Sequence, residues 1–187
     1  MTSDPADALA VQCHIRTEVN DDRDVIRRVV TEAFSPDTKV AGLVDALRRS
    51  AAFRPELSLV ATVDEAVVGH VLLTAAVLVD ELGVQRRVLV LSPLSVLPQQ
   101  QRRGIGAALV RQALSRADAG GEELVVLQGS PAYYPRFGFR DSRTLGVAMD
   151  LPDWAPAEAA MACPLSAYRP STRGRLVESQ PFLDLTH

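Results

Sequence analysis

The spacing of hydrophobic and polar positions along the chain predicts an α/β order of elements. Apolar residues recur at helical intervals in three segments: residues 25–34, 40–49 and 104–119. Asn20 or Asp21 is the expected N-cap of the first helix, and Gly120-Gly121 closes the third. Short apolar or alternating runs bounded by turn residues predict strands: residues 11–17, 57–63, 67–79, 87–96 and 123–128.

The order of these segments predicts an α/β fold with a mixed central β-sheet and helices on both of its faces. Residues 88–91 are apolar on both sides of their strand, so that strand is expected in the middle of the sheet. Residues 1–10 are expected to be a flexible leader and 11–187 a single domain. Within that domain, the proline-rich part from 141 onward predicts short C-terminal strands and a tail.

Composition and charge argue against several classes of function. Of the 187 residues, 47% are hydrophobic, which predicts a globular protein with a core. A formal net charge of −3 argues against nucleic acid, whose binders depend on positive charge. Cys13 and Cys163 lie far apart and the histidines do not group, so no metal is expected. Without a signal-peptide pattern or an apolar run of roughly 20 residues, the protein is expected in the cytoplasm and not at a membrane.

Residues 96–107 join a predicted buried strand directly to a predicted long helix. Amides in the first helical turn have no partner within the helix, and together with the helix dipole they form an anion site. Gly104 and Gly106 leave the backbone open to a phosphate, and Arg102 and Arg103 supply charge for its oxygens. The glycines are also compatible with close helix packing alone, or with a nucleotide-binding turn.

This turn resembles a signature of the GNAT acetyltransferase superfamily. Gln101-x-x-Gly104-x-Gly106 is similar to the Q/R-x-x-G-x-G/A motif of that superfamily and lies at the expected strand-to-helix junction. The resemblance implies the GNAT fold, with the turn holding the pyrophosphate of acetyl-CoA as cosubstrate.

A second motif strengthens the resemblance. Residues 131–139, with the sequence PAYYPRFGF, are similar to the Y-x-x-x-G-F element of the superfamily. Together with the Gly69-His70 pair, they resemble a bacterial branch labelled YhbS-like. The pattern of elements fits from about residue 13 to residue 140, and the tail fits only loosely.

The resemblance implies a set of residues that bind acetyl-CoA, most of them through main-chain amides. The implied contacts are Leu94, Ser95, Val96, Arg102, Arg103, Gly104, Ile105, Gly106 and Ala107. Tyr133 is expected either to line the same cavity or to pack beside it.

Tyr134 takes the tyrosine position of the second motif and is the candidate general acid. Attack of an amine on a thioester passes through an oxyanion and expels a thiolate, whose thiol has a pKa of about 8.5. A phenol, with a pKa of about 10, stays protonated at neutral pH and can supply the proton. A backbone N–H near Ser95 or Val96 is expected to stabilise the oxyanion.

The general base is left unassigned by the sequence. Many members of the superfamily carry a glutamate on the strand before the turn, but residues 89–97 contain no acid. His70 is a possible base because imidazole titrates near neutral pH. A packed, hydrogen-bonded histidine is the alternative.

Two hypotheses of different class follow. The first is an N-acetyltransferase whose amine acceptor attacks acetyl-CoA directly in a ternary complex. The second is a catalytically silent GNAT-fold module that binds acetyl-CoA to regulate or scaffold. By resemblance, the acceptor pocket lies between the first two helices and the C-terminal strands. Trp154 is expected either to line that pocket or to pack the tail, and a homodimer is possible.

Overall fold

A mixed, nine-stranded sheet organises the chain in the computed structural model, which describes residues 13–184. The strands are β1 His14–Thr17, β2 Phe53–Val63, β3 Ala66–Val79, β4 Gln85–Val96, β5 Leu124–Gln128, β6 Arg140–Asp141, β7 Val147–Ala148, β8 Ala160–Pro164 and β9 Gly174–Val177. The α-helices are α1 Arg23–Phe34, α2 Lys39–Arg48, α3 Ile105–Ala119 and α4 Gln180–Leu183.

Tight turns set the antiparallel half of the sheet. The strands run in the order β1-β2-β3-β4-β5-β8-β6, and β9 pairs with both β3 and β7. Asp64 and Glu65, between β2 and β3, have φ values of 48° and 65°. Positive φ at both central residues is the conformation whose twist matches a two-residue hairpin. This turn makes β2 and β3 antiparallel neighbours, and β3 in turn pairs with β4, from Gly69 opposite Val96 to Val79 opposite Gln85.

The parallel pairing of β4 with β5 is short, and the two strands then diverge. Their register joins Leu89 with Val125 and Val90 with Val126. A β-bulge follows on β4, between the residues that face Val71 and Leu73 of β3. Beyond it, the last part of β4 has β3 on one side and no pairing with β5 on the other. The divergence opens the sheet at its centre.

Helices cover both faces of the sheet. Successive residues of a strand point to opposite faces. A Cβ on Gly69 would contact Leu109 and Ile105 of α3 at 3.0 and 3.3 Å. His70 points to the opposite face, toward Ser58 of β2 and toward Glu18, which pairs with Arg48 of α2. The absence of a side chain at Gly69 therefore lets α3 pack closely on β3.

The structure confirms the predicted α/β fold and corrects some boundaries. The first α-helix begins at Arg23, because Asn20–Asp22 form a separate 3₁₀ turn. Asp22, not Asn20 or Asp21, is the N-cap residue of this helix, and its side chain accepts the amide of the preceding Val19 at 2.8 Å without bonding to the helix. The predicted leader and the start of the first strand, Val11, lie outside the described residues. Within residues 13–184, no helix has the length and hydrophobicity needed to cross a bilayer.

Candidate active site

The turn between β4 and α3 leaves backbone amides and space at the start of the helix. Gln101 Nε2 donates to the Val96 carbonyl at 3.0 Å and ties the turn to the strand. Gly104 has a φ of 84°, a left-handed conformation that favours glycine. Ala108 donates the first helical bond, to the Gly104 carbonyl, so the three preceding amides lack a helical partner. A Cβ on Gly104 would meet no atom within 4 Å, which leaves room for an anion.

The two arginines of this turn remain accessible. Arg102 and Arg103 are both exposed, and Arg103 donates to the side chain of Gln100 at 2.6 Å. The side chain of Ile105 is 1% exposed and anchors the helix start in the core. Ile105 and the half-buried Ala107 can therefore reach a ligand through their amides.

The end of β4 presents main-chain groups to the opening between the strands. The Leu97 amide donates to the Val68 carbonyl of β3 at 2.9 Å. Because amides alternate in direction along an antiparallel strand, those of Leu94 and Val96 point away from β3, toward the side that β5 has left. Ser95 is 2% exposed, and its hydroxyl donates to a carbonyl of β3. Its side chain is therefore not available to the opening.

Tyr133 lies over the first turn of α3. A Cβ on Gly106 would be 3.2 Å from the Tyr133 hydroxyl. The Arg136 guanidinium lies 4.8 Å from the centre of the Tyr133 ring, in a cation–π geometry. Burial raises the pKa of Tyr133, so its hydroxyl stays neutral. The structure therefore brings Tyr133 to the turn between β4 and α3, the predicted phosphate turn.

A cavity of about 980 Å³ opens where β4 and β5 diverge. Its walls come from the end of α1, the α1–α2 connection and the start of α2 on one side. Residues 90–94 of β4 and 128–130 after β5 form its base. The loop at 149–154 and the segment after β9 complete it. Trp154, on that loop, lines the cavity and is 80% exposed.

Tyr134 projects into this cavity from the segment after β5. Its ring makes edge contacts with Tyr133 and Phe139, at centroid distances of 5.1 and 5.5 Å. Within residues 13–184 its hydroxyl has no hydrogen-bond partner. Burial raises the pKa of Tyr134 to about 12, so it is protonated at neutral pH.

Gly129 provides the space in which the Tyr134 ring lies. A Cβ on Gly129 would overlap Tyr134 Cε2 and would lie 2.7 Å from Cδ2. It would also lie 2.8 Å from Leu127 Cδ1. Any other residue at this position would displace the ring, so Gly129 positions Tyr134.

His70 lies apart from the cavity, in a buried polar cluster. It is fully buried, with Nε2 at 3.1 Å from Ser58 Oγ and 3.3 Å from Glu18 Oε2. Glu18 also accepts two hydrogen bonds from Arg48, each at 2.9 Å. Desolvation lowers the pKa of His70 and favours the neutral imidazole. This environment agrees with the packed alternative for His70 and does not bring it near Tyr134.

Sequence reasoning did not single out Gly129 or Glu178, which both line the cavity. Glu178 is half-buried and lines the cavity with Tyr134, although 44 residues separate them in the chain. A glycine directly after a buried strand, five residues before Tyr134, was the available signal for Gly129. Glu178 had no local motif, because only the pairing of β9 with β3 brings it to the site. Residues 13–184 contain no group of three or more His, Cys, Asp or Glu placed to hold a metal ion.

Comparison with known proteins identifies the family. A model described as an acetyltransferase (GNAT) domain matches residues 14–141. The chain belongs to the GNAT acetyltransferase family, as its two motifs predicted. It is 36% identical over 128 residues to the uncharacterized N-acetyltransferase YjhQ of Escherichia coli K12, covering 67% of this chain and 70% of YjhQ. It is 34% identical over 126 residues to YhbS of the same strain, also named an N-acetyltransferase, covering 67% of this chain and 72% of YhbS.

Two solved structures extend the similarity across most of the chain. Escherichia coli YhbS, in complex with CoA, matches with a TM-score of 0.81 at 27% identity, covering 98% of this chain and 96% of that one. A GNAT acetyltransferase from Brucella melitensis, in complex with acetyl-CoA, matches with a TM-score of 0.73 at 31% identity, covering 92% and 99%. The fold is thus shared with relatives beyond the two motifs.

Proposed function

We propose that this protein transfers an acetyl group from acetyl-CoA to an amine that attacks directly in a ternary complex. One observation carries the proposal. The unpartnered hydroxyl of Tyr134 lies in a cavity that opens where β4 and β5 diverge, and the phosphate turn begins at the end of the same β4 strand. Membership of the GNAT family and the CoA complexes of two similar structures support the same reaction.

The turn fits the pyrophosphate of acetyl-CoA. Open space over Gly104 and the free amides of residues 105–107 provide an anion site at the positive end of α3. Arg102 and Arg103 add charges that suit phosphate oxygens. The outward amides of β4 suit the amide-rich pantetheine arm, which would run along this strand edge toward the cavity.

Tyr134 would protonate the sulfur that leaves. The burial that raises the pKa of Tyr134 to about 12 also disfavours a free thiolate in the same cavity. Proton transfer is therefore expected to accompany breakage of the C–S bond. The Val96 amide, which points into the opening, is the candidate donor to the oxyanion.

The alternative of a silent acetyl-CoA-binding module is less favoured. Such a module needs the phosphate turn but has no use for a tyrosine hydroxyl held free of hydrogen bonds in a large cavity. The cytoplasmic location and the homodimer stay predictions.

Calorimetric titration of the purified protein with acetyl-CoA, with ATP and NADH as controls, tests the cosubstrate. We expect saturable binding of acetyl-CoA and none of the controls at the same concentrations. Equal binding of ATP would support a general nucleotide-binding turn instead. Gly104→Val is expected to abolish acetyl-CoA binding, because its side chain would enter the phosphate space and because a branched residue is strained at a φ of 84°.

A further inference from the structure

Glu178 is a carboxylate of the cavity that the proposed function does not yet use. It follows β9, whose pairing with Val77, Leu78 and Val79 of β3 returns the chain to the cavity. The family model ends at residue 141 and both sequence motifs lie before it, so none of them covers Glu178. The segment assigned least by sequence supplies an acid to the cavity that Tyr134 also lines.

Glu178 differs from the other carboxylates of the cavity. Asp37, Asp150 and Asp153 are exposed, and Asp150 pairs with Arg175 at 2.5 Å. Glu178 is half-buried and makes no hydrogen bond or ion pair with any residue from 13 to 184. Its carboxylate therefore faces the cavity without a protein partner and is available to a ligand there.

The remaining walls describe what that ligand looks like. Lys39 is the one basic side chain among the described residues that line the cavity, against four carboxylates. Phe34, Leu43, Met149 and Phe182 supply apolar surface. A ligand with a positive charge beside an apolar body matches these walls. A ligand that also carries an anionic group next to its amine does not.

Resting on the proposed acetyl transfer, we propose that Glu178 is the general base, which takes a proton from an alkylammonium acceptor with an apolar body. An amine of lysine type, with a pKa of about 10.4, is protonated at pH 7 and cannot attack until it loses that proton. Glu178 holds the ammonium by charge and accepts its proton. This supplies the base that β4 lacks.

The protons balance in the proposed step. The ammonium gives one proton to Glu178, which passes it to water. The neutral nitrogen then attacks the thioester carbon, so that the C–N bond forms and the C–S bond breaks. Tyr134 gives its proton to the leaving sulfur, and the second proton lost by the nitrogen restores Tyr134. The products are an N-alkylacetamide, CoA thiol and one released proton.

The electrostatics of the cavity support Glu178 as the base. Burial, and then the negative charge of Asp150, raise the pKa of Glu178 above its ordinary value. A carboxylate whose pKa moves toward the working pH is a stronger base. The other titratable groups of the cavity are Asp37, Lys39, Tyr134 and Asp153.

Acetylation of phenethylamine at saturating acetyl-CoA, followed as CoA thiol release, tests this role. Glu178→Gln is expected to lower kcat/KM about 10²-fold at pH 7, the usual scale for one acid–base group. The loss should shrink as the pH approaches the pKa of the amine, because free amine then comes from solution. Glu32→Gln, which removes an exposed carboxylate outside the cavity, should change little, and Glu178→Asp should recover part of the loss.

Phenylalanine serves as the matched acceptor, because it adds only a carboxylate to phenethylamine. We expect at least about a tenfold lower kcat/KM for phenylalanine, since the acidic cavity repels its carboxylate. Comparable use of both acceptors, or of neither, would overturn the acceptor class. A Glu178→Gln enzyme with the wild-type rate and pH profile would overturn the role of Glu178 as the general base.

Calorimetry with acetyl-CoA separates this inference from the proposed function. A wild-type protein that does not bind acetyl-CoA removes the proposed function itself, and the inference with it. If wild type and Glu178→Gln bind acetyl-CoA equally and Glu178→Gln shows no loss in kcat/KM, the inference alone fails.

Discussion

Two regions of this protein hold carboxylates that are at least half-buried, and they do so in opposite ways. Around Glu18 every charge has a partner: Arg48 bonds it twice at 2.9 Å, and Ser58 donates to it at 2.6 Å. The side chains of Glu18 and Arg48 are only 8% and 5% exposed. In the cavity, Glu178 and the Tyr134 hydroxyl have no partner within residues 13–184.

The pKa shifts of the two carboxylates follow this difference. Hydrogen bonds from His70, Arg48 and Ser58 outweigh desolvation, so the pKa of Glu18 is well below its usual range. Nothing opposes the desolvation of Glu178, so its pKa is raised. A buried cluster whose charges are paired stabilises the fold, whereas groups that face a cavity without a protein partner are free to act on a ligand.

Breaking the Glu18 cluster is expected to give the largest effect. Glu18→Gln leaves the buried Arg48 without its main counter-charge and should lower the free energy of unfolding by about 3 kcal/mol. Urea denaturation at pH 7 measures this. Activity per folded molecule should be unchanged, since neither residue lines the cavity.

The pH dependence sharpens the same prediction. Because the folded pKa of Glu18 lies below its unfolded value of about 4.3, its contribution is present above that pH and is lost as the pH falls toward the folded pKa. The difference between wild type and Glu18→Gln should therefore shrink below about pH 4. Glu32→Gln, which removes an exposed ion pair with Arg28, is the control and should cost less than about 1 kcal/mol. Equal losses for the two variants would remove the distinction between satisfied and exposed charge.

Displacing the Tyr134 ring is expected to have a smaller effect, which is seen in catalysis. Gly129→Ala places a methyl group in the space of the ring and should lower kcat about 10-fold through misplacement. Steady-state kinetics with phenethylamine measure the loss. Added to Tyr134→Phe, the same change should cost nothing further.

Gly42→Ala is the matched control for that variant. A Cβ on Gly42 would meet no atom within 4 Å, and Gly42 lies inside α2. The change should leave kcat unaltered and stabilise the protein by roughly 0.5–1 kcal/mol, the usual gain for alanine over glycine in a helix. Independent, additive losses for Gly129→Ala and Tyr134→Phe would contradict a positioning role.

The smallest expected effect is a gain in stability from removing Glu178. Its folded pKa lies above the unfolded value, so its favourable contribution is present below the unfolded pKa and is lost as the pH rises through the folded one. Charged Glu178 thus opposes folding at pH 7, and Glu178→Gln should raise the Tm slightly there but not near pH 4. Partial solvation keeps this gain small. A lower Tm at pH 7 would mean that Glu178 has a structural partner.

Local pattern predicted much of the fold and one half of the site. Periodicity located three helices and five strands, since helices and hairpins depend on neighbours in sequence. The glycine turn and Tyr134 could be proposed as parts of the candidate site because both belong to local motifs. The glycine in the turn has a direct physical reason, because Gly104 has a φ of 84°, a conformation that favours glycine.

The other half of the site depends on contacts between distant segments. Glu178 reaches the cavity only through the pairing of β9 with β3, and no spacing in the sequence encodes that pairing. His70 was a candidate base by its chemistry alone. Its full burial beside Glu18, which follows β1, depends on the β1–β2–β3 register.

The kcat of Tyr134→Phe, measured beside its affinity for acetyl-CoA, is the sharpest test of Tyr134 as the general acid. We expect kcat with phenethylamine to fall about 10²-fold, the scale of a single acid–base group, while the calorimetric Kd for acetyl-CoA stays the same. The unchanged Kd would locate the loss in the chemical step. A variant that keeps the wild-type kcat would contradict the account, because the free hydroxyl in the cavity would then have no part in the reaction.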